Sequence, residues 1–385
     1  ENLYKKIEKG DIINPKKNDI LISKIRPYLN KNVLVNSNDE YFTKAFIHIR
    51  PKINPELLYI AIRSKFIDLF NAVSRQGKGY PTLKEDDIKA IRFPKTYIDS
   101  LLINERILIN KIQPIKNEIT HLKLKQKSTL DILNTIFSSY FKINLTEVDE
   151  LDKTRILKIP LSNVKNYNSG LRGSLRWNKI QFIQNIIYSN VDCVETLGRF
   201  IKSTKNGWSP LSIEGGEGIP VLGQEHFSFN SIIKIDPTKF TEQTRNNIED
   251  FFIKKGDFFV SRGNTVDLVA LASIVDEEVD IDIIYPDLYI KIEFDESFVD
   301  KEYLAFLFNS FIGRLYFKYV AKGKNQTMVK VSSTELLNFR LPIPKKEQQL
   351  EIVKSIKTQL NQQKKIDNQI EEKQKEIIMI IDSVI

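Results

Sequence analysis

The sequence predicts an α+β protein in which two homologous mixed domains alternate with two long polar helices. Val353, Ile356, Leu360, Gln363, Asp367, Ile370, Gln374, Ile377, Ile381 and Val384 recur at alternating spacings of three and four, the a/d rhythm of a coiled coil. Leu101, Glu105, Leu108, Ile112, Ile115, Ile119, Leu122, Gln126, Thr129, Leu133, Ile136 and Tyr140 keep the same rhythm, and from Glu105 to Ile136 each precedes its counterpart by 248 residues. Phe93-Pro94 and Leu341-Pro342, just ahead of the two helices, share that offset. Any two amphipathic helices can be laid in register, so the flanking repeat is what argues for duplication. The expected division is 1–98, 99–145, 146–344 and 345–385. Polar Gln363, Asp367 and Gln374 weaken the seam but can fix register and partner. Pro114 should bend the first helix or mark an irregularity in it.

Residues 1–98 read as mixed α/β. Asp19–Ser23 is a short buried strand, a second lies near Asn32–Val35, and Tyr41–Arg50 alternates towards a third. Asn54-Pro55 starts a helix with Leu57, Leu58, Ile60, Ala61, Phe66, Ile67 and Phe70 on its apolar face. The loop Ser74–Pro81 breaks it, and Ile88, Ile91 and Phe93 lead into the first long helix. Residues 250–344 repeat this order. Gly256-Asp257-Phe-Phe-Val-Ser261-Arg262 matches Asn18-Asp19-Ile-Leu-Ile-Ser23-Lys24, and Tyr285–Phe294 matches the third strand. Tyr303, Leu304, Phe306, Leu307 and Phe311 rebuild the helix, and Gly323–Thr327 replaces the glycine loop. Residues 146–250 have no counterpart at the front and read as β-rich with turns at Gly207, Gly215-Gly216 and Asp236-Pro237. The chain begins at Glu1 without Met, so the expectation is a first domain that lacks about ninety residues of this half.

Composition narrows the class. Hydrophobic residues at 41% and aromatics at 10% are enough for ordinary cores, and no apolar run reaches the length of a membrane span. One cysteine, Cys193, and three histidines, His48, His121 and His226, supply neither a disulfide framework nor a zinc cluster, which points to the cytosol. A net charge of +9 favours a polyanionic partner, nucleic acid first, with a merely Lys-rich surface as the alternative.

The arrangement resembles the DNA-specificity subunit of type I restriction–modification systems, and the matching residues span most of the chain. Gly218-Ile-Pro-Val-Leu-Gly-Gln-Glu-His-Phe227 is similar to that family's mid-domain strand, and Lys255-Gly-Asp-Phe-Phe-Val-Ser-Arg-Gly-Asn264 to its strand-and-loop signature. Leu341-Pro-Ile-Pro-Lys-Lys-Glu-Gln-Gln-Leu-Glu-Ile-Val353 resembles its approach to a helical spacer; Phe93–Ser100 lacks the Glu-Gln pair seen at 347–348. The resemblance implies two target-recognition domains, the first truncated at its N-terminus, separated by two spacer helices that form an antiparallel coiled coil. Each domain would read one half of a split, asymmetric site in double-stranded DNA. It further implies a cytoplasmic, prokaryotic setting, methyltransferase subunits using S-adenosylmethionine, and a restriction translocase using ATP and Mg, none of these cofactors being bound by this chain.

Motifs for chemistry are absent from the sequence. Gly77-Lys78-Gly79 and Gly323-Lys324 lack the spacing of a phosphate-binding loop. Asn14-Pro15-Lys16 and Asp236-Pro237-Thr238 fail at the third position of the Asn/Asp-Pro-Pro-aromatic tetrapeptide with which aminomethyltransferases hold a flipped base. No Asp and Glu-x-Lys set suits a nuclease metal, and the 371–375 charge run reads as a solvated helix face. A non-catalytic chain is expected. Lys and Arg can neutralise phosphates, and Arg, Asn and Gln can read base edges. The candidates in the second domain are Lys202, Lys205, Asn206 and Trp208 in a first polar loop, Arg262 and Asn264 after the strand, and Lys322, Lys324, Asn325 and Gln326 in a late loop. Those in the first are Lys24, Arg26, Arg75, Gln76, Lys78 and Tyr80; the cations at 24/262 and 78/324 recur in both copies. Partner subunits are expected on exposed helix faces, with Ile377, Met379 and Ile380 as examples.

Two other readings stay open on sequence alone: the recognition part of a fused methyltransferase–nuclease with its catalytic part upstream, and a coiled-coil adaptor without a DNA role. A helix of roughly 36 residues spans about 54 Å at ~1.5 Å per residue. At ~3.4 Å per base pair this limits the separation of two readers to about 16 base pairs. Inserting one heptad into each helix is therefore expected to lengthen the gap between contacted half-sites by a few base pairs, read by methylome sequencing. An unchanged gap rules the spacer out as a ruler.

Overall fold

The computed structural model describes residues 2–64, 67–76, 80–160, 174–325 and 328–383, with the backbone alone at 2–4, 76, 324 and 325. The chain divides into two compact units, residues 1–126 with 364–385, and residues 127–363. No described helix is long and apolar enough to cross a membrane.

The first unit begins with helix α1 (Asn2–Glu8), followed by strands β1 (Ile12–Ile13), β2 (Ile20–Ser23), β3 (Val33–Leu34), β4 (Phe42–Thr43) and β5 (Phe46–Ile49). All four residues of β2 are buried, and it runs antiparallel between β3 and β5. Helix α2 (Pro55–Arg63) starts where the sequence predicts, with the Asn54 carboxamide accepting from the amides of Glu56 and Leu57. Then come α3 (Ile67–Val73), the short hairpin β6 (Arg75–Gln76) and β7 (Pro81–Thr82), α4 (Glu85–Ala90), α5 (Lys95–Ile103) and α6 (Glu105–Lys125). Leu108, Ile112, Ile115 and Ile119 of α6 share a core with Ile370, Ile377 and Ile381 and with Leu57, Ala61 and Phe70. Glu118 pairs with Lys373 at 3.0 Å and Gln126 donates to Asp367 at 2.7 Å, so these two helical stretches run antiparallel.

The second unit opens with α7 (Thr129–Phe141), α8 (Leu145–Lys153) and α9 (Leu175–Tyr188), then β8 (Val194–Thr196) and β9 (Ile201–Asn206). Strands β10 (Ile213–Glu214), β11 (Ile219–Val221) and β12 (Lys239–Thr241) form a small sheet in the order β10-β12-β11. Next along the chain are β13 (Phe258–Ser261), β14 (Gly263–Asn264), β15 (Ala272–Ile274) and β16 (Tyr289–Phe294). The central sheet has the order β15-β13-β16-β9, with every pair antiparallel. Phe258 and Val260 face a core shared with the helices, and Phe259 faces a second core with Leu271, Tyr285 and Tyr289. Helices α10 (Lys301–Asn309) and α11 (Phe311–Val320) lead to β17 (Lys322–Asn325) and β18 (Met328–Lys330), which join β14 in a third sheet. Short α12 (Ser333–Leu337) and β19 (Arg340–Pro342) precede α13 (Lys346–Asp382). Ile352, Val353 and Ile356 of α13 pack in one core with Ile132, Leu133, Ile136 and Phe137 of α7.

One hydrogen-bonded frame is built in both units. Asn18 and Gly256 hold positive φ angles of 73° and 82°, a geometry that favours Asn or Gly. Their amides donate to Val35 O and Val275 O, and the amides of Val35 and Val275 donate back to Asp19 O and Asp257 O. The Asp19 and Asp257 carboxylates accept from the amides of Lys16 and Lys254, each at 2.9 Å. Beyond the strand, the amides of Lys24 and Arg262 donate to Ala45 O and Leu288 O, while their carbonyls accept from Leu83 and Val331. Asp87 caps Lys84 N and binds Arg75; Glu335 caps Ser332 N and binds Lys322. The equivalences start at an offset of 238 residues for Asp19/Asp257 and reach 248 for Lys84/Ser332.

The structure departs from the sequence reading in several places. The helix expected through Phe70 is two, α2 and α3, with Phe66 outside the described residues, and the one expected through Phe311 is likewise α10 and α11. The late loop at 322–325 is strand β17. The first long helix is interrupted at Asn104 and at 126–128, with Pro114 lying inside α6. At the second break Gln126 is extended, and the Ser128 hydroxyl caps α7 by accepting from the amide of Asp131. Residues 146–250 are not simply β-rich: α8 and α9 lie there, and α9 buries Ile180, Ile183 and Ile187 along one face. Ile377 is buried on the seam it shares with Ile370 and Ile381 and offers no docking face, whereas Met379 is exposed. Finally, 202–206 is not a loop, since β9 is a full edge strand.

Asp19 is almost fully buried, and burial disfavours its charge, yet Arg50, the Lys16 amide and His48 outweigh that and hold its pKa at about 2. A carboxyl depressed in the folded state stabilises above its unfolded pKa of 3.8 and loses that contribution as pH falls towards 2. Wild type is expected to lose about 2 kcal/mol between these values that the Asp19→Asn variant does not lose. Denaturant unfolding at stepped pH measures it, and parallel pH profiles would contradict the assignment.

Candidate nucleic-acid interface

In the first unit the frame gathers four of the candidates. Leu83 donates to Lys24 O, Arg26 N–H donates to Pro81 O, and Arg75 pairs across the hairpin with Thr82. Arg26 is held at φ 50°, ψ 60°, and its guanidinium lies 5.4 Å from the centroid of the exposed Tyr80 ring. Lys24 stands 3.7 Å from Glu85, and Arg75 Nε donates to Asp87 at 2.9 Å. The Asp87 carboxyl is held below the usual range, first by that Arg75 hydrogen bond and then by the Lys84 amide. Gln76 is in β6 by its backbone, and Lys78 lies outside the described residues.

In the second unit antiparallel register decides which candidates converge. Ser261 opposes Tyr289, and Asn206 opposes Ile290, so the ends of β13 and β9 meet at the start of β16. There Gly207 N–H donates to Tyr289 O, Trp208 N–H to Tyr285 O, and Arg262 N–H to Leu288 O. Arg262 Nη1 lies 3.6 Å from the Asp287 carboxylate, and Ser209 Oγ donates to the same carboxylate. Ser261 Oγ donates to Gln224 Oε1 at 2.7 Å, Asn264 Nδ2 reaches that oxygen at 3.4 Å, and Gln224 Nε2 donates to Leu288 O at 3.0 Å. Gln224 thus ties the Arg262 turn to the 287–288 turn. Strand β14 then pairs Gly263 with Lys330 and Asn264 with Val329, and β17 pairs Lys322 with Lys330 and Asn325 with Met328. Asn206, Trp208, Arg262, Asn264, Lys322 and Asn325 therefore belong to one end of the fold of this unit. Lys324 and Asn325 are placed by their backbone in β17, and Gln326 lies outside the described residues.

Lys202 and Lys205 do not join them. Lys205 opposes Lys291 and so shares the face of Phe259, where it meets Asp250 at 2.8 Å and the Phe251 ring at 4.8 Å. Asn206, one residue on, points to the opposite face. Lys202 lies at the far end of β9, 3.7 Å from Asp295. Lys24, Arg75, Lys202, Lys205, Arg262 and Lys322 each face a carboxylate. Among the described residues Arg26 has none, and no group of three His, Cys, Asp or Glu could hold a metal.

Gln224 is not marked in the sequence, because a single polar residue within Gly218–Phe227 carries no periodic signal. Nor is Arg245, which sits at 4.6 Å from the Phe251 ring and 5.4 Å from the Trp208 ring.

No family model matches the sequence, and no curated protein matches it. Solved structures do align with it. One, described as the structural basis underlying complex assembly and conformational transition of the type I R-M system, is 16% identical, covers 96% of this chain and 82% of that chain, and has a TM-score of 0.44. The HsdS subunit from Thermoanaerobacter tengcongensis is 14% identical over 96% of this chain and 81% of its own, with a TM-score of 0.37. The type I restriction-modification system S subunit from M. genitalium is 14% identical over 96% and 82%, again at 0.37.

Proposed function

We propose that the chain is the sequence-specific DNA-binding specificity subunit of a type I restriction–modification complex. It reads a bipartite, asymmetric site in double-stranded DNA through two homologous recognition domains and directs a partner methyltransferase, and with it a restriction subunit, to that site. The observation that carries this reading is the frame built twice around Asp19 and Asp257, which delivers a cation, Lys24 or Arg262, at the same hydrogen-bonded node. A duplicated scaffold supports two readers. Side chains that differ at equivalent nodes support two different half-sites: Arg26 over Tyr80 in one unit, Asn264 beside Gln224 in the other.

The a/d seams of the long helices support their reading as an antiparallel coiled-coil spacer, with exposed positions such as Met379 left for partner subunits. The subunit itself is non-catalytic and cytoplasmic in this proposal, and S-adenosylmethionine, ATP and Mg belong to its partners.

Duplex binding by the chain is expected to weaken steeply between roughly 50 and 200 mM salt, because cations that contact phosphates release counterions. A flat salt response overturns the DNA role. Methylome sequencing of cells carrying the complete system is expected to return a two-part motif with unlike halves; a single contiguous motif overturns the bipartite reading.

A further inference from the structure

We propose that Arg245 reads a guanine in the major groove, as a specificity-determining residue of the second unit. The inference rests on the reading of this unit as a DNA reader and adds the base class that one side chain selects.

Arg245 lies in the exposed segment 242–247. That segment is fastened to the stretch after Trp208: Leu211 N–H donates to Gln243 Oε1 at 2.8 Å, and Thr241 Oγ1 donates to Leu211 O at 2.7 Å. Trp208 is itself fixed by its amide on Tyr285 O, and Phe251 is buried 6.3 Å from Trp208 and 6.1 Å from Tyr285. Arg245 is thus seated on two rings that cannot easily move. The guanidinium sits near the faces of both rings, and rings accept no ordinary hydrogen bond that would use up its N–H donors. Among the described residues no acceptor takes one of those donors. The side chain is ordered in advance and its hydrogen-bonding fork is unspent. Arg is the residue whose fork fits the O6 and N7 acceptors of guanine as a bidentate pair.

The local charge favours a base over a phosphate. Asp250 is close enough to feel Arg245 and pairs with Lys205 at 2.8 Å. Asp250 and Lys205 offset one another there, so the pair adds little to draw a phosphate. It does not block two hydrogen bonds to the neutral edge of a guanine.

The test selects from a pool of random-sequence duplexes with the full chain as wild type, Arg245→Lys and Arg245→Ala. Affinity for one fixed duplex lacking the selected motif is measured alongside. Wild type is expected to enrich a motif with a guanine at a position where Arg245→Ala loses the preference by about tenfold or more and Arg245→Lys weakens it by less. Arg245→Lys keeps the charge, so its affinity for the fixed duplex is expected to stay within about twofold and its salt slope to hold. Thermal unfolding at the wild-type temperature guards against a folding defect. If both variants return the wild-type motif, this inference falls while the DNA role stands. It also falls if Arg245→Lys keeps the guanine and Arg245→Ala loses affinity for every duplex alike, which marks a phosphate contact. If wild type enriches no motif, the inference and the DNA reading fall together.

Discussion

A carboxylate at the start of the central strand, buried at Asp19 and nearly so at Asp257, is the contact on which each unit depends. Asp19 and Asp257 each accept from an amide three residues upstream, which closes the turn that launches β2 or β13. The residue before must adopt a left-handed backbone, so Asn18 and Gly256 are matched by conformation although unlike in chemistry. Once the turn is fixed, the strand's phase is fixed, and with it the face on which every later side chain emerges. The cation five residues on, Lys24 or Arg262, is delivered by that phase. The two copies neutralise the acid differently. Asp19 holds His48 at 2.6 Å and Arg50 at 3.1 Å, while Asp257 holds Lys291 at 2.7 Å. His48 opposes Leu21 and Lys291 opposes Phe259, so the same pairing position supplies a hydrogen-bonding partner for the carboxylate in both, and Arg50 adds the cation at Asp19.

Much of this frame was legible because it is written in short-range pattern. Four buried apolar residues behind an Asp, a helix behind Asn54, and a Pro-terminated strand before each long helix are local features. What escaped has physical reasons. Strand β9 alternates too weakly to read as a strand, since Lys202, Ser203, Lys205 and Asn206 are all exposed on an edge paired on one side only. Helix α9 buries Asn178, Lys179 and Gln184 beside its isoleucines, with Lys179 Nζ donating to Asp152 O at 2.6 Å, which blurs its apolar stripe. The break at 126–128 did leave a signal, Ser128 with Asp131 three residues later, an N-terminal cap inside what reads as one heptad run.

That break also explains the polar seam. An amide released from the helical ladder at Lys127 needs an acceptor, and Gln363 Oε1 supplies it at 2.7 Å. Gln126 finds Asp367 at 2.7 Å. An isoleucine at 363 or 367 would remove the acceptor and hand these exposed donors back to water. The residues that look like defects in the a/d rhythm are therefore satisfied by the interruption opposite them.

In the proposed reading of the chain as a DNA binder, the pairing of most candidate cations with carboxylates sets how the surface would discriminate. The exposed pairs among them, such as Lys24 with Glu85 and Lys202 with Asp295, contribute roughly 0–1 kcal/mol, so a phosphate could displace those acids at little cost. The acids nevertheless remain near the interface and repel the backbone of any duplex that does not also satisfy the polar groups between them. Gln224, already shared by Ser261 and Asn264, and Arg245, seated near two rings without an acceptor among the described residues, are groups of that second type. Affinity that is muted by carboxylates and restored by specific hydrogen bonds shifts the balance from charge to sequence.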